Sequence, residues 1–219
     1  MKMKRKVITA LLAATMVASL AVGCGNKGGD SKSDSSKSSS SDEITIGFSQ
    51  VGAESDWRTA NSESMKSTFS EKNGYKLIFD DAQQKQENQI TAIRNFIQQD
   101  VDYIVLAPVT ETGWDTVLKE AKDADIPVII VDRMIDVSDD SLYTAWVGSN
   151  FKMEGQKACE WLNAYAEAKG MKEVNIAHIQ GTIGASAQIG RTEGLEEAAK
   201  EYGWNIVAQQ TGEFTQAKG

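Results

Sequence analysis

One histidine and two cysteines among 219 residues leave little material for metal or thiol chemistry. A lone His beside a lone spare thiol cannot assemble a zinc site, and Cys24 and Cys159 make no disulfide framework. Cations are also thin. The chain holds 23 Lys and Arg against 31 Asp and Glu, a formal charge of −8, and no basic stripe interleaved with aromatics follows its first residues. An acidic surface repels phosphate backbones, so nucleic acid is not an expected partner. Catalytic motifs are missing too: there is no G-x-S-x-G elbow and no G-x-x-x-x-G-K-[ST] loop. The Gly-rich stretch from Gly181 to Gly190 lacks the phosphate-binding Lys and has the wrong glycine spacing for a dinucleotide fingerprint. The expectation is a protein that is no enzyme and uses no cofactor. His178, alternating with apolar neighbours in VNIAHIQ, is expected to be structural.

What is present begins at the N-terminus. MKMKRK is a charged region, ITALLAATMVASLAVG an apolar one closing on small residues, and Cys24 follows Gly23 directly. Residues 1–23 therefore read as an export signal, and LAVGC resembles a bacterial lipoprotein box, which implies a lipid on Cys24. The rival is an uncleaved membrane span, since the apolar run approaches the minimum spanning length; the small residues and the Cys at the cut favour the signal. Cleavage removes Lys2, Lys4, Arg5 and Lys6 and leaves the chain still more acidic. From Cys24 to Asp42 the composition is Ser, Gly, Lys and Asp, with nothing apolar to offset the entropy of ordering, so this is a flexible tether.

From Glu43 onward, β-branched runs alternate with segments of helical period, the pattern of an α/β protein with parallel sheets. Strands are expected near Ile44–Ser49, Tyr75–Asp80, Tyr103–Ala107, Pro127–Asp132, Thr144–Val147, Asn175–Gln180 and Ile206–Gln210. Between them, helical stripes run through Ile90, Ile93 and Ile97; Trp114, Val117, Leu118 and Ala121; Ala158, Trp161, Leu162 and Tyr165; and Leu195, Ala198, Ala199 and Tyr202. Cys159, beside Ala158 and Leu162, reads as a packed thiol. Gly74, Gly170 and Gly203 fall just past helix ends. A boundary near Val147 to Asn150 divides residues 43–147, an N-terminal lobe, from residues 148–219, a partial C-terminal lobe.

In open parallel sheets, ligands bind beyond the carboxyl ends of the strands. Those ends collect Gln50, Glu54, Ser55, Asp56, Trp57 and Arg58; Asp80, Asp81, Gln83 and Gln84; Asp132 and Arg133; Gln180 and then Arg191. Arg forks and carboxylates bridge adjacent hydroxyls, while an aromatic face covers the C–H side of a sugar. Plainer readings stand beside this one. Asp132 and Arg133 form a local ion pair, Trp57 packs in the core, Arg58 and Arg191 are solvated, and Gln83 and Gln84 cap a helix.

FSQVGAESDWR, FDDAQQKQENQITAIRNFI, VDYIVLAPVTETGW, EAKDADIPVIIVDR, IQGTIGASAQIGRTEG and TGEFTQAKG together resemble the sugar-binding proteins of ABC importers. These are periplasmic binding proteins of type I, of ribose and galactose type, with the galactofuranose-binding subgroup nearest. The resemblance implies two Rossmann-like lobes that close over a monosaccharide and deliver it to a membrane permease. It also implies an extracytoplasmic, monomeric receptor held to the membrane through Cys24. It assigns sugar contact to Trp57, Arg58, Asp132, Arg133 and Arg191, with Glu54, Gln83 and Gln84 at the rim or behind them. Members are longer, so the second lobe is expected to be incomplete, with unpaired sheet edges that invite aggregation and weakened sugar affinity. Alternatives are a sugar-sensing lipoprotein that signals to a kinase or chemoreceptor and a secreted α/β hydrolase. A LacI-type repressor is disfavoured, since an export signal and tether stand where a helix-turn-helix belongs.

Overall fold

A computed structural model describes residues 43–219; the expected signal, Cys24 and the tether lie outside them. Seven strands alternate with five α-helices: β1 (Ile44–Gln50), α1 (Asp56–Thr68), β2 (Tyr75–Asp81), α2 (Gln86–Gln98), β3 (Tyr103–Leu106), α3 (Asp115–Asp123) and β4 (Val128–Asp132) come first. Then follow β5 (Ala145–Gly148), α4 (Phe151–Ala168), β6 (Asn175–Gln180), α5 (Ser186–Tyr202) and β7 (Asn205–Thr211). Every expected strand is present, with ends shifted by a residue or so.

The first five strands form one sheet in the order β2-β1-β3-β4-β5, and every neighbouring pair is parallel. Alternation along the strands sends side chains to two separate cores. Ile104, Leu106, Val128 and Ile130 meet Ile93 and Phe96 of α2 and Val117 and Leu118 of α3. On the opposite face Ile46, Phe48 and Val105 meet Met65 of α1 and Phe69 just past it. A sheet covered on both faces explains why β3 and β4 read as continuous apolar runs. Trp114, fully buried at the start of α3, still satisfies its indole N–H on the Thr110 carbonyl at 2.8 Å.

β6 and β7 make a second parallel sheet of two strands, with α4 and α5 against it. Cys159, Leu195, Ala198, Ala199 and Trp204 form its core, and burial raises the Cys159 thiol pKa, which keeps it protonated. The stripe expected on α4 holds at Leu162, which packs against this core, and is corrected at its other positions. Ala158 and Tyr165 are exposed and Trp161 is 67% exposed; the buried side runs through Phe151, Gly155, Cys159 and Ala166. Small residues win that face because α4 and α5 touch backbone to backbone: a Cβ on Gly194 would stand 2.8 Å from Gln156 N and Lys152 O. Trp161 and Tyr165 are too large for that seam and stack on each other outside, ring centres 5.5 Å apart.

His178 sits half-buried on β6 with Nδ1 unpartnered, and burial lowers its pKa against a smaller opposing effect of Glu196.

Gly194→Ala forces the α4–α5 seam apart and is expected to cost about 1–3 kcal/mol, read as a lower urea midpoint at unchanged slope. Because His178 takes up its proton less readily folded than unfolded, stability falls as pH drops below its ordinary value of about 6.5. The urea midpoint of the native chain should therefore drop more steeply between pH 7 and pH 5.5 than that of His178→Gln; parallel curves contradict this.

Candidate functional site

The carboxyl ends of β1, β3 and β4 share one edge of the five-stranded sheet, and the loops there carry the charges. Ser55 caps α1, its Oγ accepting the Arg58 N–H at 3.2 Å. That start turns Arg58 inward, where it is 2% exposed, and leaves Trp57 outside at 58%. Arg58 donates from Nε to Glu54 Oε1 at 3.1 Å and from Nη2 to Asp132 Oδ2 at 2.7 Å. The plain readings of a packed Trp57 and a solvated Arg58 are thus reversed.

Arg133 is buried beside them. It donates to the Val109 carbonyl at 3.2 Å and lies 3.7 Å from Glu54 Oε1 and 4.0 Å from Asp132 Oδ2. Burial, then the neighbouring Arg58 charge, pulls its pKa down to about 10 despite both carboxylates; it is still a cation at neutral pH. Asp132 has φ +64, a left-handed conformation that costs a non-glycine residue on the order of 1–3 kcal/mol. The Arg58 bond anchors the carboxylate that this turn presents.

Two buried glutamines brace the loops. Gln89 on α2 donates to the Ala107 carbonyl at 2.7 Å and accepts the Val109 N–H at 2.9 Å, holding the segment on which Arg133 rests. Gln50 donates to Asn61 and Ser62 at 2.8 and 3.0 Å and accepts the Val51 N–H. From the second layer, Arg191 on α5 donates twice to Glu154 of α4, at 3.1 and 2.8 Å.

Glu54, Trp57, Arg58, Asp132, Arg133 and Arg191 line one cleft of about 330 Å³, joined by Glu154, Phe151 and Phe214. That volume sits at the small end of ligand cavities, on the order of 300–1,000 Å³. Arg58, Arg133 and Arg191 face Glu54, Asp132 and Glu154, so the lining is formally neutral. Each guanidinium also lies over an aromatic ring: Arg58 by Trp57 at 4.8 Å, Arg133 by Phe214 at 5.0 Å, and Arg191 by Phe151 at 5.0 Å. Two buried polar atoms of this cluster, Glu54 Oε2 and Arg58 Nη1, have no protein partner.

Gln83 and Gln84 do not join the cleft. They form a turn with φ of 54° and 61°, in which Gln83 donates to Asp81 and Gln84 N–H to the Val51 carbonyl at 2.7 Å. Nor do they cap α2, whose N-cap is Lys85. Gln180, another strand-end residue, faces Thr192 and Gln209 instead. Glu54 is more central than a rim position, since it pairs with two buried arginines. Phe214 and Phe151 were missed as lining residues. Their signal was an aromatic residue just beyond a strand or at a helix start. Among the described residues, no group of three or more His, Cys, Asp or Glu is placed to hold a metal, and no helix is long and apolar enough to cross a membrane.

A doubly wound parallel lobe joined to a second parallel layer, with a polar cleft at the strand ends, is an architecture like that of the type I periplasmic binding proteins. Residues 46–219 match the periplasmic binding protein domain family, and the chain belongs to it. It is 50% identical over 177 residues to the galactofuranose-binding protein YtfQ of Escherichia coli K12, covering 80% of this chain and 54% of that one. A crystal structure of a galactofuranose binding protein superposes with a TM-score of 0.76 at 48% identity, over 80% of this chain and 58% of the other. The periplasmic component of the arabinose ABC transporter from Shewanella sp. ANA-3, bound to L-arabinofuranose, gives 0.74 at 52%, over 80% and 57%. The chain thus spans little more than half the length of these relatives.

Removing one partner from a buried ion cluster costs about 3–5 kcal/mol, because the charge left behind is stranded. Glu54→Gln should therefore lower unfolding free energy by about 3 kcal/mol in urea titration. Breaking the exposed Arg94–Glu120 pair should change it far less.

Proposed function

We propose that the chain is the recognition part of an extracytoplasmic receptor that clasps a monosaccharide, a galactofuranose-like or related aldose, and presents it to an ABC permease without making or breaking a bond. The observation that carries this reading is the neutral balance of the cleft. Three guanidinium forks and three carboxylates supply many donors and acceptors and no net charge, which suits a neutral polyol and penalises an ionic guest. Behind this lining, Glu54 Oε2 and Arg58 Nη1 have no protein hydrogen-bond partner. Trp57, Phe151 and Phe214 supply flat faces for the C–H side of a sugar ring.

Asp132, Arg133 and Arg58 act as the fixed jaw, Arg191 with Glu154 as the opposing one, and Glu54 as the charge that holds the fixed jaw together. The names of the similar proteins, which bind galactofuranose and arabinofuranose, support a furanose-sized guest and a permease partner. The sequence of residues 1–24 supports export and a lipid on Cys24, which would tether a monomeric receptor outside the cytoplasm.

Calorimetric titration of the chain with L-arabinose, D-galactose and D-ribose should show saturable binding of at least one. Asp132→Ala and Arg191→Ala should weaken it by tenfold or more, on the order of 1.4 kcal/mol or above. The matching sugar phosphates and uronic acids should bind no better. Equal binding by both variants, or a preference for the charged analogues, overturns the proposal.

A further inference from the structure

The Phe214 ring reaches the cleft by an unusual route. β7 ends at Thr211, and the backbone then passes through two consecutive left-handed residues, Glu213 (φ 51°) and Phe214 (φ 57°). Neither is glycine or asparagine, so each conformation must be held from outside. The Thr211 hydroxyl does part of this. It donates to the Gly181 carbonyl at 2.7 Å and accepts the Glu213 N–H at 3.2 Å, while Gly212 N–H bonds the Gln180 carbonyl at 2.8 Å. One side chain thereby ties the loop after β6 to the turn after β7.

Gly181 does the rest by having no side chain. A Cβ built there would lie 1.9 Å from Phe214 Cζ and 2.3 Å from both neighbouring ring carbons. The ring thus fills the place a side chain would take, and no other residue at 181 allows it. Seated on Gly181, the ring meets the Arg133 guanidinium at 5.0 Å. Val109, Glu54 and Asp132, which bond to or pair with Arg133, all come from the five-stranded layer, while Arg191 of the two-stranded layer acts on it only through its charge. Phe214 therefore places an aromatic face of the two-stranded layer against this buried cation.

We infer that Thr211 and Gly181 are positioning residues for the cleft: together they seat the Phe214 ring against Arg133 and so set the corner where the two layers meet around a guest. This rests on the reading of the cleft as a sugar site. Neither residue lines the cleft, so neither is assigned contact with the guest. Thr211→Val keeps the branched shape favoured in strands, deletes both hydrogen bonds and strands the Gly181 carbonyl. Gly181→Ala evicts the ring directly. Thr211→Ser keeps the hydroxyl.

The test places para-fluorophenylalanine at Phe214 of the full chain and records its fluorine NMR spectrum without sugar. The affinity of unlabelled variants for L-arabinose is then measured by calorimetry. The native ring should give a resonance displaced from that of the urea-unfolded chain, and Arg133→Gln should move it. Thr211→Ser should leave it in place, while Thr211→Val and Gly181→Ala shift it toward the unfolded position with a native circular dichroism spectrum. Both should weaken L-arabinose binding about tenfold, the effect expected when the aromatic face at this corner leaves its place. A resonance unmoved in both variants overturns the inference, whatever the sugar affinity. If the resonance moves as expected but the native chain binds no sugar, the positioning role stands and the sugar reading fails.

Discussion

Arg58 and Arg133 lie side by side where water barely reaches, 2% and 4% exposed. Two like charges in such a place repel each other and lose their hydration, which is why Arg133 holds its proton less firmly than a free guanidinium. Glu54 and Asp132 make the arrangement tenable, with Glu54 Oε1 within reach of both cations and Asp132 Oδ2 likewise. The four groups come from the loop after β1, the start of α1 and the end of β4. Their mutual satisfaction therefore requires that the β1 and β4 ends stand at the right separation, with β3 between them. The cleft, the strained Asp132 turn and the placing of Trp57 outside all follow from solving this charge problem.

The sheet makes the solution rigid. Parallel strands buried on both faces cannot slip without exposing Phe48 or Ile104, each fully buried on opposite sides. Loops at their ends inherit that precision, and the brace of Gln89 on Ala107 and Val109 extends it one residue further to the carbonyl that Arg133 uses. Gln89 is wholly buried, so its amide is an internal strut whose hydrogen bonds replace those of water.

Strand positions were legible because β-branched runs between turn residues have few other uses. The Asp132–Arg133 pair was legible because the β4 run turns polar just where a parallel sheet opens. The α4 face was not: Trp161 and Tyr165 have the period of a buried stripe, but the α4–α5 approach admits only Gly155, Cys159 and similarly small groups. Hydrophobic spacing marks a face without saying how close the neighbour comes. Glu54 looked peripheral for a related reason. Nothing local shows that one carboxylate serves two arginines, one of them 79 positions on. Phe214 was hidden because its place depends on a glycine 33 residues earlier. Gln83 and Gln84 had the composition of a rim or supporting position; their backbones form a turn and neither side chain lines the cleft.

The cleft's balance constrains the guest more sharply than its volume does. An anion would add a fourth negative charge to a lining that holds three of each sign, leaving net charge in the cleft that no group there neutralises. A cation meets the mirror problem. A neutral guest with several hydroxyls breaks none of these pairs, because a guanidinium has five N–H donors and a carboxylate about four acceptor sites, more than one ion pair consumes. Behind the lining, Arg58 Nη1 and Glu54 Oε2 have no protein hydrogen-bond partner. Arg191 and Glu154 differ from the buried cluster in being about two-fifths exposed. Their pairing is therefore weaker and more easily rearranged, so the adjustable half of the cleft lies on the two-stranded layer and the fixed half on the five-stranded one. On the proposed reading of the cleft, this division lets a guest be oriented first by groups that do not move and then be gripped by groups that can.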